Sequence, residues 1–189
     1  MPRRATAPPV TVLTIGHSTP PLETFVESLE AHGDKHLVDV RTVPRSRHNP
    51  QYNKEPLPES LAAGIKYAHM PGLGGLRHAR PDSINTGWRN NSFGGYADYT
   101  QTAEFEARLE KLIVLARRRR LAIMCAEAVP WRCHRSLLAD APTVRGVRVE
   151  HIASAQKCNL HALTPWARID ARRVTYPPES LPLNLESNK

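Results

Sequence analysis

Short apolar runs that stop at glycine or at polar residues set the fold of this chain. Val10 to Gly16 reads VTVLTIG, a β-branched run closed by glycine. His36 to Val40 reads HLVDV, and Leu121 to Cys125 reads LAIMC. Each has the length and composition of a strand buried on both faces. Pro20 and Pro21 follow the first run, with Ser18 and Thr19 before them as caps, and start a helix. Leu22, Phe25, Val26 and Leu29 recur at helical spacing, and Gly33 closes that helix. The result is a strand–helix–strand unit whose strands are parallel and whose crossover is right-handed.

The rest of the chain extends the pattern. Residues 41–53 read as a long loop, 58–63 as a short helix and 65–70 as a third strand. Gly72 to Gly95 shows little periodicity, and a loop of that length is usually functional or mobile. Thr102 caps an amphipathic helix whose stripe is Phe105, Leu109, Leu112, Ile113 and Ala116. A helix over 134–141 and a strand over 147–152 follow. The expected architecture is a three-layer α/β domain, with a mostly parallel sheet of four or five strands flanked by helices. The expected division is a flexible tail over 1–9, one domain over 10–169 and a Pro-rich tail over 170–189.

With 189 residues, of which 40 % are hydrophobic, the chain can build one domain with a core. No apolar run reaches the roughly 18 residues of a membrane span. Met1-Pro2-Arg3-Arg4 is not followed by an apolar signal region, so a cytoplasmic location is expected. Three cysteines, an odd and small number, point to reduced thiols rather than a disulfide framework. The formal charge of +8 suits DNA or RNA as a partner, or equally a small anionic or nucleotide ligand. It also suits a basic surface that binds nothing, and Arg117 to Arg120 sit at a helix end where cations complement the macrodipole. Oligomeric state is not encoded in any pattern here.

Open parallel sheets bind ligands beyond the carboxyl ends of their strands. That rule selects Gly16-His17-Ser18, Asp39-Val40-Arg41, Cys125-Ala126-Glu127 and the turn from Pro130 to Arg135. Glu127 is a general base or nucleophile, or else the ion-pair partner of Arg135 or Arg41. Cys125 and Cys133 are thiolate nucleophiles or small core residues. His17 and His134 are acid–base candidates. Asp39 and Arg41 read as a buried ion pair or as catalytic groups. Arg41 and Arg135 would hold phosphate. Trp88, Phe93, Tyr96 and Tyr99, interleaved with Asn91, form either a base-stacking wall or a cluster that pins the loop. No cofactor motif is present: neither a P-loop nor GxGxxG occurs. Cys125, Cys133 and His134, with His17, form an alternative soft ligand set for a metal, although neither CxxC nor HExxH appears.

Several strings occur together: TIGHS (Thr14 to Ser18), DVR (Asp39 to Arg41), P-R-S (Pro44 to Ser46), LGG (Leu73 to Gly75), GYADY (Gly95 to Tyr99) and CAE…P…CHR (Cys125 to Arg135). With them the chain resembles the domain of unknown function 488 family over roughly 12–168. The resemblance implies an α/β fold and marks these positions, Ser18 and Ser46 included, as site residues. LVDVR, with a cysteine at a later strand end, faintly resembles rhodanese-like domains. Three readings follow. The first is a hydrolase or transferase acting on a nucleobase-containing substrate or nucleic acid, with N-glycosidic cleavage as the concrete reaction. The others are a thiol-dependent sulfurtransferase or redox enzyme, and a non-catalytic nucleic-acid-binding protein.

Overall fold

The structure, a computed structural model, describes residues 9–61 and 64–178. Residues 1–8 and 179–189, most of the two expected tails, lie outside this range, as do the last two residues of the expected 58–63 helix. Strands β1 (Thr11–Gly16), β2 (His36–Asp39), β3 (Lys66–His69), β4 (Leu121–Cys125), β5 (Arg148–Ser154) and β6 (Lys157–Leu160) form one sheet in the order β3-β2-β4-β1-β5-β6. The first five of that order are parallel, and β6 pairs antiparallel with β5. Helices α1 (Leu22–Ala31), α2 (Leu57–Ser60), α3 (Asn91–Tyr99), α4 (Ala103–Arg118) and α5 (Arg135–Thr143) cover it. This is the expected three-layer α/β arrangement.

Alternation along the strands builds two cores. Val12, Val38 and Ile123 face α4 and α5, packing with Phe105, Leu109, Leu112 and Leu137. Leu13, Leu37 and Met124 face the other way, with Phe25 and Leu29 of α1. Each of these side chains is buried, and burying one stabilises the fold by about 1.5–3 kcal/mol before entropy is counted. Thr102 caps α4 as expected, its hydroxyl accepting from the Phe105 N–H at 3.2 Å. The helix after β1 starts differently: Pro21 occupies the cap position, and no side chain caps it.

The loop expected over 72–95 runs into a helix. Asn90 caps α3 by accepting from the Ser92 N–H. Gly95 lets that helix lie against the chain at Arg77 to Ala79, because a Cβ there would come within 2.4 Å of the Arg77 carbonyl oxygen. The chain beyond residue 170 is also not a loose tail as far as residue 178. Strands β7 (Arg168–Asp170) and β8 (Arg173–Thr175) form a hairpin, and Tyr176 behind it is buried. The Tyr176 hydroxyl donates to Asp140 of α5 at 2.8 Å, which anchors the segment despite its prolines. Among the described residues no helix is long and apolar enough to cross a membrane.

Candidate functional site

The strand ends do gather the motif residues at one rim. The β1–β4 pairing continues past the strands, with the His17 N–H donating to the Cys125 carbonyl and the Ser18 N–H to the Ala126 carbonyl. This close approach requires Gly16: a Cβ there would lie 1.9 Å from the Glu127 carbonyl oxygen. Ser18 then takes a left-handed backbone with φ of 44°, a sparsely populated state that turns the chain at the rim.

Behind β2 the rim is a closed ion-pair cluster. Arg41 donates to both oxygens of Asp39, at 2.9 and 2.7 Å, and to the Tyr52 carbonyl. Tyr67 donates its hydroxyl to Asp39 at 2.7 Å. His17 stacks on Tyr52 with ring centroids 4.3 Å apart, its Nε2 3.1 Å from Arg41 Nη1 and its Nδ1 3.0 Å from the Ser18 carbonyl. The His17 ring is 2 % exposed, and burial lowers its pKa. Both its nitrogens are occupied, so His17 orders the rim and does not face solvent. Ser46 accepts from the Asn49 N–H and its own N–H donates to Asn53, within the 41–53 loop.

At the end of β4 the two thiols meet. Cys133 Sγ lies 3.0 Å from Cys125 Sγ, and His134 Nδ1 lies 3.5 Å from the first and 4.0 Å from the second. Hydrogen bonding from Cys133 pulls the Cys125 thiol down to about 3, with His134 and the Glu127 N–H adding to the effect. The same bond, with burial, pushes Cys133 up. Arg135 is 1 % exposed. Its Nη2 donates to the Ala128 carbonyl, while Nε and Nη1 have no partner among the described residues. It is therefore turned inward, not toward a phosphate in solvent.

Two neighbouring hollows open at the ends of β1, β4 and β5. The larger, about 1080 Å³, is lined by Gly16, Ser18, Ala128, His151 and His161 among others. The second, about 710 Å³, contains Glu127, Arg89, Arg132 and Phe93. Trp88, Trp131 and Trp166 border both, and these are the three tryptophans of the chain. Trp131 is 74 % exposed. Glu127 is exposed and Asn91, at the start of α3, is exposed. Tyr96 and Tyr99 do not join this wall. Their hydroxyls donate to the Leu73 and Gly72 carbonyls, and both rings are buried in the core.

Four residues of the rim are given no role by the sequence: Trp131, Trp166, His151 and His161. Trp131 lies inside the CAE…CHR segment, and its aromatic type was the available signal. Trp166 is far from it in the chain and carries none. His151 and His161 belong to a hydrogen-bonded row: Thr14 Oγ1 to His151 Nδ1 at 2.6 Å, His151 Nε2 to His161 Nδ1 at 2.9 Å, and His161 Nε2 to Asp140 Oδ1 at 2.8 Å. Burial and the neighbouring His161 lower His151 to about 4.

A mostly parallel sheet flanked by helices, with hollows bordered by tryptophan beyond its strand ends, makes this a three-layer α/β protein. The chain belongs to the family described as domain of unknown function DUF488, whose model matches residues 21–141. Neither a curated protein nor a solved structure matches it.

Proposed function

We propose that this protein is a hydrolase or transferase of a nucleobase-containing substrate, nucleic acid included, and that it cleaves the N-glycosidic bond. The observation that carries the reading is the gathering of all three tryptophans around the hollow that holds Glu127. Base-on-aromatic stacking contributes about 1–3 kcal/mol per base and tolerates any base. Trp131, the most exposed, offers its ring to the base. Arg89 and Arg132, exposed beside it, supply the charge for a phosphate, the part that Arg41 and Arg135 cannot play from their buried positions.

Glu127 acts at the anomeric carbon, as nucleophile or as base for water, the role carboxylates take in glycoside cleavage. The hollow that holds Glu127, about 710 Å³, lies within the roughly 300–1,000 Å³ of small-molecule sites, enough for a purine or pyrimidine and its sugar. The imidazoles lining the larger hollow are those of His151 and His161, both held in the hydrogen-bonded row from Thr14 to Asp140.

Free base released from nucleosides and oligonucleotides, resolved by chromatography and mass spectrometry, tests the reading. Glu127→Gln should abolish release while tryptophan quenching by the same ligand persists. Trp131→Ala should weaken binding about 5–150-fold, the loss of one stacked base. Steeply salt-dependent binding without release, identical in Glu127→Gln, would instead identify a non-catalytic nucleic-acid binder.

A further inference from the structure

Cys125, Cys133 and His134 are not used by the cleft chemistry, and neither sulfur lines either hollow. Their three donor atoms nevertheless lie within 4.8 Å of one another. Three separate devices hold them there. Cys125 ends β4, whose register against β1 is fixed by Gly16. Cys133 follows a 3₁₀ turn over Pro130–Arg132, and the Arg135 N–H donates to its sulfur at 3.4 Å. His134 precedes α5, its ring seated against Gly75 and edge-on to Tyr96 at 4.9 Å. A Cβ on Gly75 would meet His134 Nδ1 at 2.9 Å, so glycine is what allows the ring this position.

We propose that Cys125 Sγ, Cys133 Sγ and His134 Nδ1 bind a zinc ion. The inference is independent of the reading of the cleft. Two thiolates and an imidazole make a soft-to-borderline ligand set, which selects zinc over magnesium or calcium. Tetrahedral zinc, with bonds of about 2.3 Å to sulfur and about 2.0 Å to nitrogen, puts two sulfurs about 3.8 Å apart and sulfur to nitrogen about 3.6 Å apart. The two sulfur–nitrogen separations here, 3.5 and 4.0 Å, are already close to that. Only the sulfurs, at 3.0 Å, must part, by less than about 1 Å, as the cation displaces the thiol protons and comes between them. Backbone N–H groups of Glu127 and Arg135 point at the two sulfurs, which stabilises them as thiolates. Zinc with two thiolates is neutral overall, so binding places no second net charge beside the buried Arg135.

Full-length protein, reduced and then dialysed against zinc sulfate, is assayed for bound zinc by atomic emission. The expected result is one zinc per chain, lost from Cys133→Ser and from His134→Ala but kept by Cys158→Ser, whose thiol lies away on β6. Since Cys133→Ser could unfold, circular dichroism is recorded on each variant, and cobalt is added to the wild type. Thiolate-to-cobalt charge transfer with strong ligand-field bands supports the site. Affinity should fall in the His134→Ala variant by more than the roughly 10–100-fold typical of losing an outer-shell partner. A folded, reduced wild type that binds neither metal overturns the proposal. So does equal zinc loss in Cys158→Ser, or an isolated protein whose Cys125 and Cys133 are joined as a disulfide and bind zinc no better after reduction.

Discussion

Replacing Asp140 by alanine should be among the most damaging single changes in this protein. Asp140 is fully buried on α5 and accepts from four donors: His161 Nε2 at 2.8 Å, the Thr164 N–H at 3.2 Å, the Thr164 hydroxyl at 2.7 Å and the Tyr176 hydroxyl at 2.8 Å. Alanine leaves all four without an acceptor in a closed setting. A buried donor stripped of its partner costs about 1–3 kcal/mol, but the two hydroxyls can turn and water can enter the gap. A total of about 3–5 kcal/mol is therefore expected, a large share of the roughly 5–15 kcal/mol that holds a domain together. For a chain of this size the melting temperature should fall by roughly 6–20 °C. Asp140→Asn keeps one acceptor oxygen, so its loss should be smaller, about 1–3 kcal/mol. Urea unfolding gives the free energies, and amide hydrogen exchange gives the location. Exchange should accelerate first over residues 168–178, which Tyr176 anchors. An unfolding free energy for Asp140→Ala within about 0.5 kcal/mol of wild type would refute the hub reading.

Two further changes probe the rim and the pH dependence. Gly16→Ala places its Cβ 1.9 Å from the Glu127 carbonyl and 2.8 Å from Ala128 Cα, both backbone, so no rotamer relieves the clash. It should cost several kcal/mol, about 2–4 on the scale of overpacked sites, and displace Glu127. A variant with unchanged stability and unchanged tryptophan fluorescence would contradict it. Asp34 is buried, neither of its carboxylate oxygens has a partner among the described residues, and burial raises its pKa to about 7. The folded state therefore holds a proton that the unfolded state releases near 4. Its contribution to stability is full below about 4 and is lost as pH rises through about 7. Asp34→Asn should flatten the stability profile across that interval, and an unaltered slope would show that the carboxyl is already ionised.

The strands that carry the rim were legible because they are buried on both faces. VTVLTIG, HLVDV and LAIMC must be continuous apolar runs to sit inside a parallel sheet, and the rule that ligands bind at strand ends then pointed to Cys125, Glu127 and their neighbours. The elements that went unread lack such pressure. In α3, two adjacent glycines hide the helix from propensity, and its existence depends on a close approach to residues 77–79 that no local pattern announces. Strand β6 is mostly exposed on an edge, and β7 and β8 are three residues each, so alternation has nothing to act on. Side-chain direction at the rim was equally hidden. His17 and Glu127 lie near the ends of adjacent strands, yet Tyr52 and Arg41 draw the first inward and the 125–128 turn leaves the second exposed. The tryptophan wall needed residues 88, 131 and 166 to meet, which only the three-dimensional path of the chain decides.

The place of β1 in the sheet bears on how this family can be cut for study. The stretch matching the family model, 21–141, begins after β1 and ends before β5. Yet β1 is an inner strand, bonded to β4 on one side and β5 on the other. Excising the matched stretch would bare β4 along its whole length and strip the two hydrophobic layers of Val12 and Leu13. A fragment so trimmed should aggregate through that open edge, so the autonomous unit of this protein is longer than the segment by which its kin are recognised.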